Sequence, residues 1–210
     1  MRRPTDHKPT ILKHAARCFA SKPYHEVLMD DVAAAAGLAK GTIYRFYPNK
    51  DRLYLAVCLE WVNEHAESVL QASKSPGSDI ERLGAMILAS GRHFQRSSDF
   101  FQAMQRADLY PNITRTQEFL KMRGKVRQYF ARTIAQAQKA GELGPLDPQV
   151  AGDLLLGMIR SLQRYSEPQR TVEENARIVL SVFLDGMSRR TMGNGHKKCK
   201  PMETAGILQH

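Results

Sequence analysis

The chain has 210 residues, 42% of them hydrophobic, which is enough for one large domain or two smaller ones around a real core. A formal net charge of +10 and a sequence pI of about 9.7 favour a polyanionic partner, nucleic acid ahead of an anionic membrane surface. No apolar run approaches the roughly 20 residues that span a bilayer, and the opening MRRPTDHKPTI has charge but no apolar segment after it, which argues against a membrane protein and a secretory signal.

The pattern is helical throughout, with no alternating run long enough for a strand. A first helix is predicted over residues 9–20. Pro9 suits its opening turn, where no backbone N–H is required, and Ile11, Leu12, Ala15, Ala16 and Phe19 share one face. Pro23 stops it, and Tyr24 is expected to pack back over the small core. A second helix over 29–36 carries Val32, Ala33 and Ala36 as an apolar stripe. It ends at Gly37, where a left-handed residue costs glycine nothing sterically. A third, short helix spans 40–47. Pro48 and Asn49 break the chain before a fourth helix over 50–72. There Leu53, Val57 and Trp61 line one side, while Leu55, Leu59 and Val62 line another. A helix apolar on two sides belongs between two bodies, so this one is expected to join an N-terminal unit to the rest.

Ser73-Lys74-Ser75-Pro76-Gly77-Ser78 reads as a linker. A fifth helix follows over 79–96 with Ile80, Leu83, Ile87 and Phe94 inward. Ser98 or Asp99 is a candidate cap for a short sixth helix ending near Tyr110-Pro111. The seventh is long, 114–140, and closed by Gly141; GELGPLDP is a compact turn. The eighth, 148–165, is dense in Leu154, Leu155, Leu156, Met158, Ile159 and Leu162. Pro168 breaks it, and the ninth, 172–188, repeats the density with Ile178, Val179, Leu180, Val182, Phe183, Leu184 and Met187. Glu173 and Glu174 suit its N-terminal dipole. The eighth and ninth helices have more apolar residues than one inward face requires. Pairing of two copies in a four-helix arrangement is expected there, with Leu180 and Phe183 as candidates for disruption. Beyond about Arg190 periodicity is lost and disorder is expected.

The basic excess sits at the two ends. Residues 1–51 hold nine Lys/Arg against five acids and residues 187–210 hold five against one, leaving a net of only +2 between them. Cys18, Cys58 and Cys199 are odd in number and lack C-x-x-C spacing, which favours a reducing compartment. The expected location is cytoplasmic. Cys18 falls on the apolar side of its helix as a small core residue, and His196 with Cys199 supplies too few ligands for structural zinc, which takes four.

The stretch from Gly37 to Lys50, GLAKGTIYRFYPNK, carries the chemistry. Helix, glycine turn and second short helix follow one another, and the second places Lys40, Thr42, Tyr44, Arg45 and Tyr47 around one apolar anchor, Ile43. A core helix that short does not need so many polar side chains. A helix lying in a DNA groove does, because bases are read by hydrogen bonds and phosphates by cations and hydroxyls. With Ile11-Leu12, Ala15-Ala16, Phe19, Tyr24, Asp31-Val32-Ala33, Ala36-Gly37, Lys40-Gly41-Thr42-Ile43-Tyr44, Tyr47-Pro48, Lys50-Asp51 and Leu53 in this order, residues 11–62 resemble the DNA-binding domain of the TetR/AcrR repressor family.

The resemblance implies an all-α chain of about nine helices. It has a three-helix helix-turn-helix domain (1–50), a helical ligand-binding and dimerisation domain (51–190) and a basic tail (191–210). It also implies that Lys40, Gly41, Thr42 and Arg45 face base edges while Tyr44, Tyr47 and Lys50 lie near phosphates. Physical chemistry agrees in part. Arg45 can pair with guanine through two hydrogen bonds, Gly41 lets the backbone approach the groove, and Lys50 opens a helix whose free N–H groups attract phosphate. For Tyr47 a place in the core is the competing role. Three residues depart from the family pattern: Pro23 for Gly, Leu28 for the usual Thr or Ser cap, and Phe46 for His or Tyr. Asp30 is the candidate replacement for the cap.

In the body, Arg92, His93, Phe101, Met104, Gln105, Met122 and Arg160 are candidates for lining a pocket, and for His93 a hydrogen-bonded core role competes. Ile87, Phe94, Phe101, Met104 and Met122 suggest an apolar or amphipathic effector, and Arg92, Arg96 and Arg106 leave room for an acidic group. There is no Gly-rich phosphate loop, H-E-x-x-H or nucleophile elbow, so no catalytic residue, metal or cofactor is assigned. The expected protein is a homodimeric repressor that binds an inverted-repeat operator in double-stranded DNA and is released by a small-molecule effector. Its rivals are a DNA-binding regulator controlled by a protein partner and a helical enzyme.

Overall fold

Apolar side chains spaced three and four apart build eight α-helices in a computed structural model that describes residues 6–96, 116–165, 167 and 169–187. They are α1 (Lys8–Ser21), α2 (Met29–Ala36), α3 (Lys40–Phe46), α4 (Lys50–Ala72), α5 (Asp79–Arg96), α6 (Gln117–Lys139), α7 (Pro148–Tyr165) and α8 (Val172–Met187), with a 3₁₀ turn at Tyr24–Glu26. The fold is all-α. The short helix predicted near 98–111, the pocket candidates Phe101, Met104 and Gln105, Arg106, and the tail from 191 lie outside the described residues.

Local chemistry sets most helix ends. Gly37 (φ +66°) and Gly141 (φ +79°) take the left-handed conformation that closes α2 and the turn after α6. Asn49 accepts the Arg52 N–H at 2.9 Å to start α4. Two reciprocal caps start α5 and α8. The Ser78 N–H donates to Glu81 at 2.7 Å while the Glu81 N–H donates to the Ser78 hydroxyl, and Thr171 and Glu174 repeat the arrangement. After α6, Gln138 donates to the carbonyls of Gly144 and Leu146, both at 2.8 Å, and the Gly144 N–H donates to the Met187 carbonyl at 2.7 Å, tying the turn to the end of α8.

One continuous apolar core runs from Ile11 in α1 to Met187 at the end of α8. α4 is its spine. The N-terminal half of α4 places Tyr54 against Phe19 at 4.6 Å between ring centres, and its further length packs on α5 and α6. Both predicted apolar sides of α4 are covered: Leu53, Val57 and Trp61 are buried, as are Leu55 and Val62, with Leu59 half-buried. α8 lies against α5 and α7. Phe183 is buried within the chain, and Leu180 packs inward, its Cδ2 only 3.2 Å from where a Cβ on Gly84 would sit. The outward apolar residues of α7 and α8 are instead Val150, Leu154, Ile178 and Val182. Among the described residues no helix is long and apolar enough to cross a membrane.

Candidate nucleic-acid interface

α3 is held by a single buried side chain, Ile43, and by the C-terminal Tyr47, which is only 8% exposed. Everything else on α3 faces outward or lies at its margin. Lys40, Gly41, Tyr44 and Arg45 are exposed; Thr42 and Phe46 are half-buried. A Cβ added to Gly41 would meet nothing within 4 Å, so no contact inside the chain requires glycine there. The Arg45 guanidinium rests 5.3 Å over the Phe46 ring, an interaction strong enough to orient it and weak enough to give way. The helix thus presents cations, a hydroxyl and bare backbone on one convex surface, the chemistry that groove edges and phosphates accept.

Ion pairs tie α2 to α3 and to the end of α1. Lys40 Nζ donates to Asp30 Oδ2 at 2.8 Å, which holds its pKa above the usual lysine range. Lys22 pairs with Asp31 at 3.2 Å. The candidate cap is corrected here. Asp30 is engaged by Lys40, and it is Asp31 Oδ2 that accepts the Leu28 N–H, at 3.5 Å. Leu28 itself is exposed and offers no acceptor.

Lys50 also differs from its expected setting. Its ammonium donates to the Tyr24 carbonyl at 2.8 Å and to that of His25 at 3.2 Å, and it lies 4.5 Å over the Tyr24 ring. The Tyr24 hydroxyl in turn donates to Asp51. Lys50 is therefore a stitch between the 3₁₀ turn and α4, with one of its three N–H donors left for anything outside. Tyr47 is a core residue whose pKa is raised, first by burial, so any phosphate contact would come through its hydroxyl alone.

This arrangement has relatives. A family model for bacterial regulatory proteins of the tetR family matches residues 11–57, and one for the tetracyclin repressor-like C-terminal domain matches residues 76–187. The chain belongs to the TetR family. Among its relatives is the uncharacterized HTH-type transcriptional regulator YhgD of Bacillus subtilis, 27% identical over 75% of this chain and 82% of that protein. The HTH-type transcriptional repressor KstR2 of Mycolicibacterium smegmatis is 24% identical over 92% of this chain and 96% of its own length. Among solved structures, AibR in complex with isovaleryl coenzyme A and operator DNA superposes with a TM-score of 0.69 at 22% identity, covering 84% of this chain and 97% of AibR. This TetR-family protein is a DNA-binding transcriptional regulator, not an enzyme.

In the body of the TetR-family fold, the predicted pocket residues do not form one lining. Arg92 points outward and binds Glu173 of α8 at 2.9 and 3.2 Å. Met122 on α6 is half-buried against the core. Arg160 on α7 is exposed, and its charge reaches His65. His93 is 3% exposed and stacks on His65 at 5.1 Å, their planes 6° apart. Trp61 and Phe94 flank His93, with ring centres at 4.9 and 6.1 Å. A 2.9 Å hydrogen bond joins His65 Nε2 to Ser90 Oγ. Burial drives both imidazoles toward the neutral form, His65 to about 3 and His93 to about 4, with His93 and Arg160 acting further on His65 and Arg96 on His93.

His65 and Ser90 are the residues that sequence reasoning missed. The signal was present: His65 falls four residues after Trp61 and four before Val69, on a buried stripe. The effector is predicted between the fifth and eighth predicted helices, a region that includes residues outside the described ones; between α5, α7 and α8 the space is nearly filled. The void beside Ile87, Ile159 and Val179 is about 10 Å³. An open surface groove runs along α4 and α5 past Glu64, Glu67, Ser68, Gln71, His93 and Arg96.

Proposed function

We propose that the protein is a cytoplasmic, ligand-responsive repressor that binds an inverted-repeat operator as a homodimer and leaves it when a small molecule binds its body. The observation that carries this reading is α3: Lys40, Gly41, Tyr44 and Arg45 stand outward, with Thr42 half-buried beside them, on the one buried anchor, Ile43. Lys40, Gly41, Thr42 and Arg45 read base edges, and Tyr44 contacts phosphate. Lys50 offers its remaining donor, and Tyr47 its hydroxyl, to the backbone. In this scheme residues 1–50 form the DNA-binding unit, 51–190 the effector and dimerisation body, and 191–210 a basic tail that adds attraction without sequence preference.

Repression is supported by the likeness to KstR2, and effector control by AibR, which was solved with both a coenzyme A thioester and operator DNA. Dimerisation is supported by the outward Val150 and Leu154 of α7 and Ile178 and Val182 of α8, two stripes at helical spacing that the single chain leaves uncovered. Two recognition helices on a two-fold axis require an operator of matching symmetry. A pivot of α4, which touches both units, would change their separation and with it the affinity. The filled space between α5, α7 and α8 favours, as a second reading, a protein partner in place of a small ligand.

Footprinting upstream of the protein's own gene tests the proposal. The expected result is a protected inverted repeat whose occupancy falls when the right compound is added. Protection without two-fold symmetry removes the dimeric operator reading. A symmetric footprint that responds only to another protein selects the second reading.

A further inference from the structure

Lys40 opens α3, where the positive end of the helix dipole disfavours a cation. A carboxylate on the preceding helix answers it. Asp30 Oδ2, ten residues back across the Gly37 turn, accepts from Lys40 Nζ at 2.8 Å. The same ammonium lies 5.8 Å from the centre of the Tyr44 ring, one turn along α3. Lys40 is therefore held from two sides, by α2 and by its own helix. Asp31 takes no part, since it pairs with Lys22 and accepts the Leu28 N–H. Both side chains of the Lys40–Asp30 pair keep more than half of their surface in solvent, 61% and 57%. An ion pair that exposed adds little to stability. It stands among the outward side chains of α3, so its effect falls on whatever α3 meets.

We propose that Asp30 is a specificity-determining residue of the DNA interface: it positions the Lys40 ammonium toward a base edge and withholds it from phosphate. An ammonium has three N–H donors. Asp30 occupies one, which leaves two for the O6 and N7 acceptors of guanine, the pairing open to lysine in the major groove. Those acceptors are uncharged, so a carboxylate beside the ammonium opposes the contact only weakly. A phosphate is an anion, and Asp30 would repel it at close range. The pair thus carries almost no net charge toward the backbone of arbitrary DNA, whose attraction comes from unpaired cations, yet it keeps directed donors for one base. The proposal rests on the reading of Lys40 as a base-edge residue and adds what sets its choice of base over phosphate. Asp30 acts through Lys40 and is a positioning residue.

The experiment uses the full-length protein as wild type, Lys40→Ala, Asp30→Asn, Asp30→Ala and the double variant Asp30→Ala with Lys40→Ala. Each selects binding sites from a pool of randomised duplexes. Affinity is then measured over a range of salt for the duplex that wild type enriches and for a scrambled duplex of equal length. Circular dichroism checks that each variant keeps the fold. Wild type should enrich guanine at one position in each half-site, and Lys40→Ala should lose that preference. Asp30→Asn keeps an acceptor for Lys40 but removes the charge. It should bind the scrambled duplex several-fold more tightly, with a salt slope steeper by up to about one phosphate contact. Asp30→Ala removes the acceptor as well and should relax the guanine preference by about tenfold. In the double variant Asp30→Ala should change base preference no further, because the residue it positions is gone. A guanine preference retained in Asp30→Ala, or scrambled-DNA affinity and salt slope unchanged in Asp30→Asn, overturns the proposal while the reading of Lys40 stands. An effect of Asp30→Ala that persists in the double variant gives Asp30 a DNA contact of its own and overturns the positioning role. If Lys40→Ala loses no guanine preference, the reading of Lys40 falls and the proposal with it.

Discussion

Lys50 Nζ sits 2.8 Å from the Tyr24 carbonyl and over the Tyr24 ring, so the first residue of α4 closes the turn that follows α1. A lysine expected at the phosphate backbone thus also holds the DNA-binding unit to its connecting helix. Lys50→Met is expected to lower the unfolding free energy by about 1–3 kcal/mol, because it leaves two carbonyls without their charged donor. Urea unfolding reads this directly. Wild-type stability, combined with a shallower salt dependence of DNA binding, would make Lys50 a phosphate contact alone.

Gly41 and Arg45 separate DNA recognition from folding. Gly41→Ala has open space around its new methyl and should stabilise α3 by up to about 1 kcal/mol. It should nonetheless weaken operator binding, since the methyl would stand between the backbone and the groove. Arg45→Ala should cost about 1–3 kcal/mol on the operator and relax one position per half-site. Binding competitions on operator and random DNA decide the second point: equal losses on both would assign Arg45 to phosphate.

Leu154→Glu and Val182→Glu should produce folded monomers, because these side chains are 57% and 56% exposed in the single chain. Phe183→Glu should instead unfold the body, since Phe183 belongs to the intramolecular core. Sedimentation at micromolar concentration together with circular dichroism tells the two outcomes apart. A wild-type protein that sediments as a monomer would remove the dimer from the proposal.

The His65–His93 pair makes stability depend on acidity. Folding lowers both pKa values, to about 3 and about 4, from an unfolded value of 6.5. The unfolded chain then binds more protons, so stability is full above about pH 6.5 and declines as pH falls toward the folded values. The expected slope is about 1.4 kcal/mol per pH unit for each histidine. Urea midpoints between pH 7.5 and about pH 5, above most carboxylate titration, measure it. His65→Gln should flatten the profile; an unchanged slope would mean that these imidazoles take up protons while folded.

Helix boundaries were largely legible because their determinants are local. The sequence placed α2, α4 and α5 at the residues where the structure has them, from Gly37, from Pro48 with Asn49, and from the Ser78 linker. The outward surface of α3 was legible too, since only Ile43 among its residues demands a core. The reciprocal caps Ser78–Glu81 and Thr171–Glu174 were readable at their spacing and went unread.

Sequence by itself therefore determined the all-helical fold, the helix-turn-helix and its exposed polar face, all set by chain-neighbour spacing. The tertiary structure alone decided which partner each polar or apolar side chain meets. Lys50 met two carbonyls, Arg92 met Glu173, Asp31 rather than Asp30 met the Leu28 N–H, and Phe183 turned inward while Val182 turned out. Periodicity gives a residue its face on a helix, but the helix opposite is brought there by distant parts of the chain. An imidazole on an apolar stripe becomes half of the buried His65–His93 stack only once α4 and α5 are packed together.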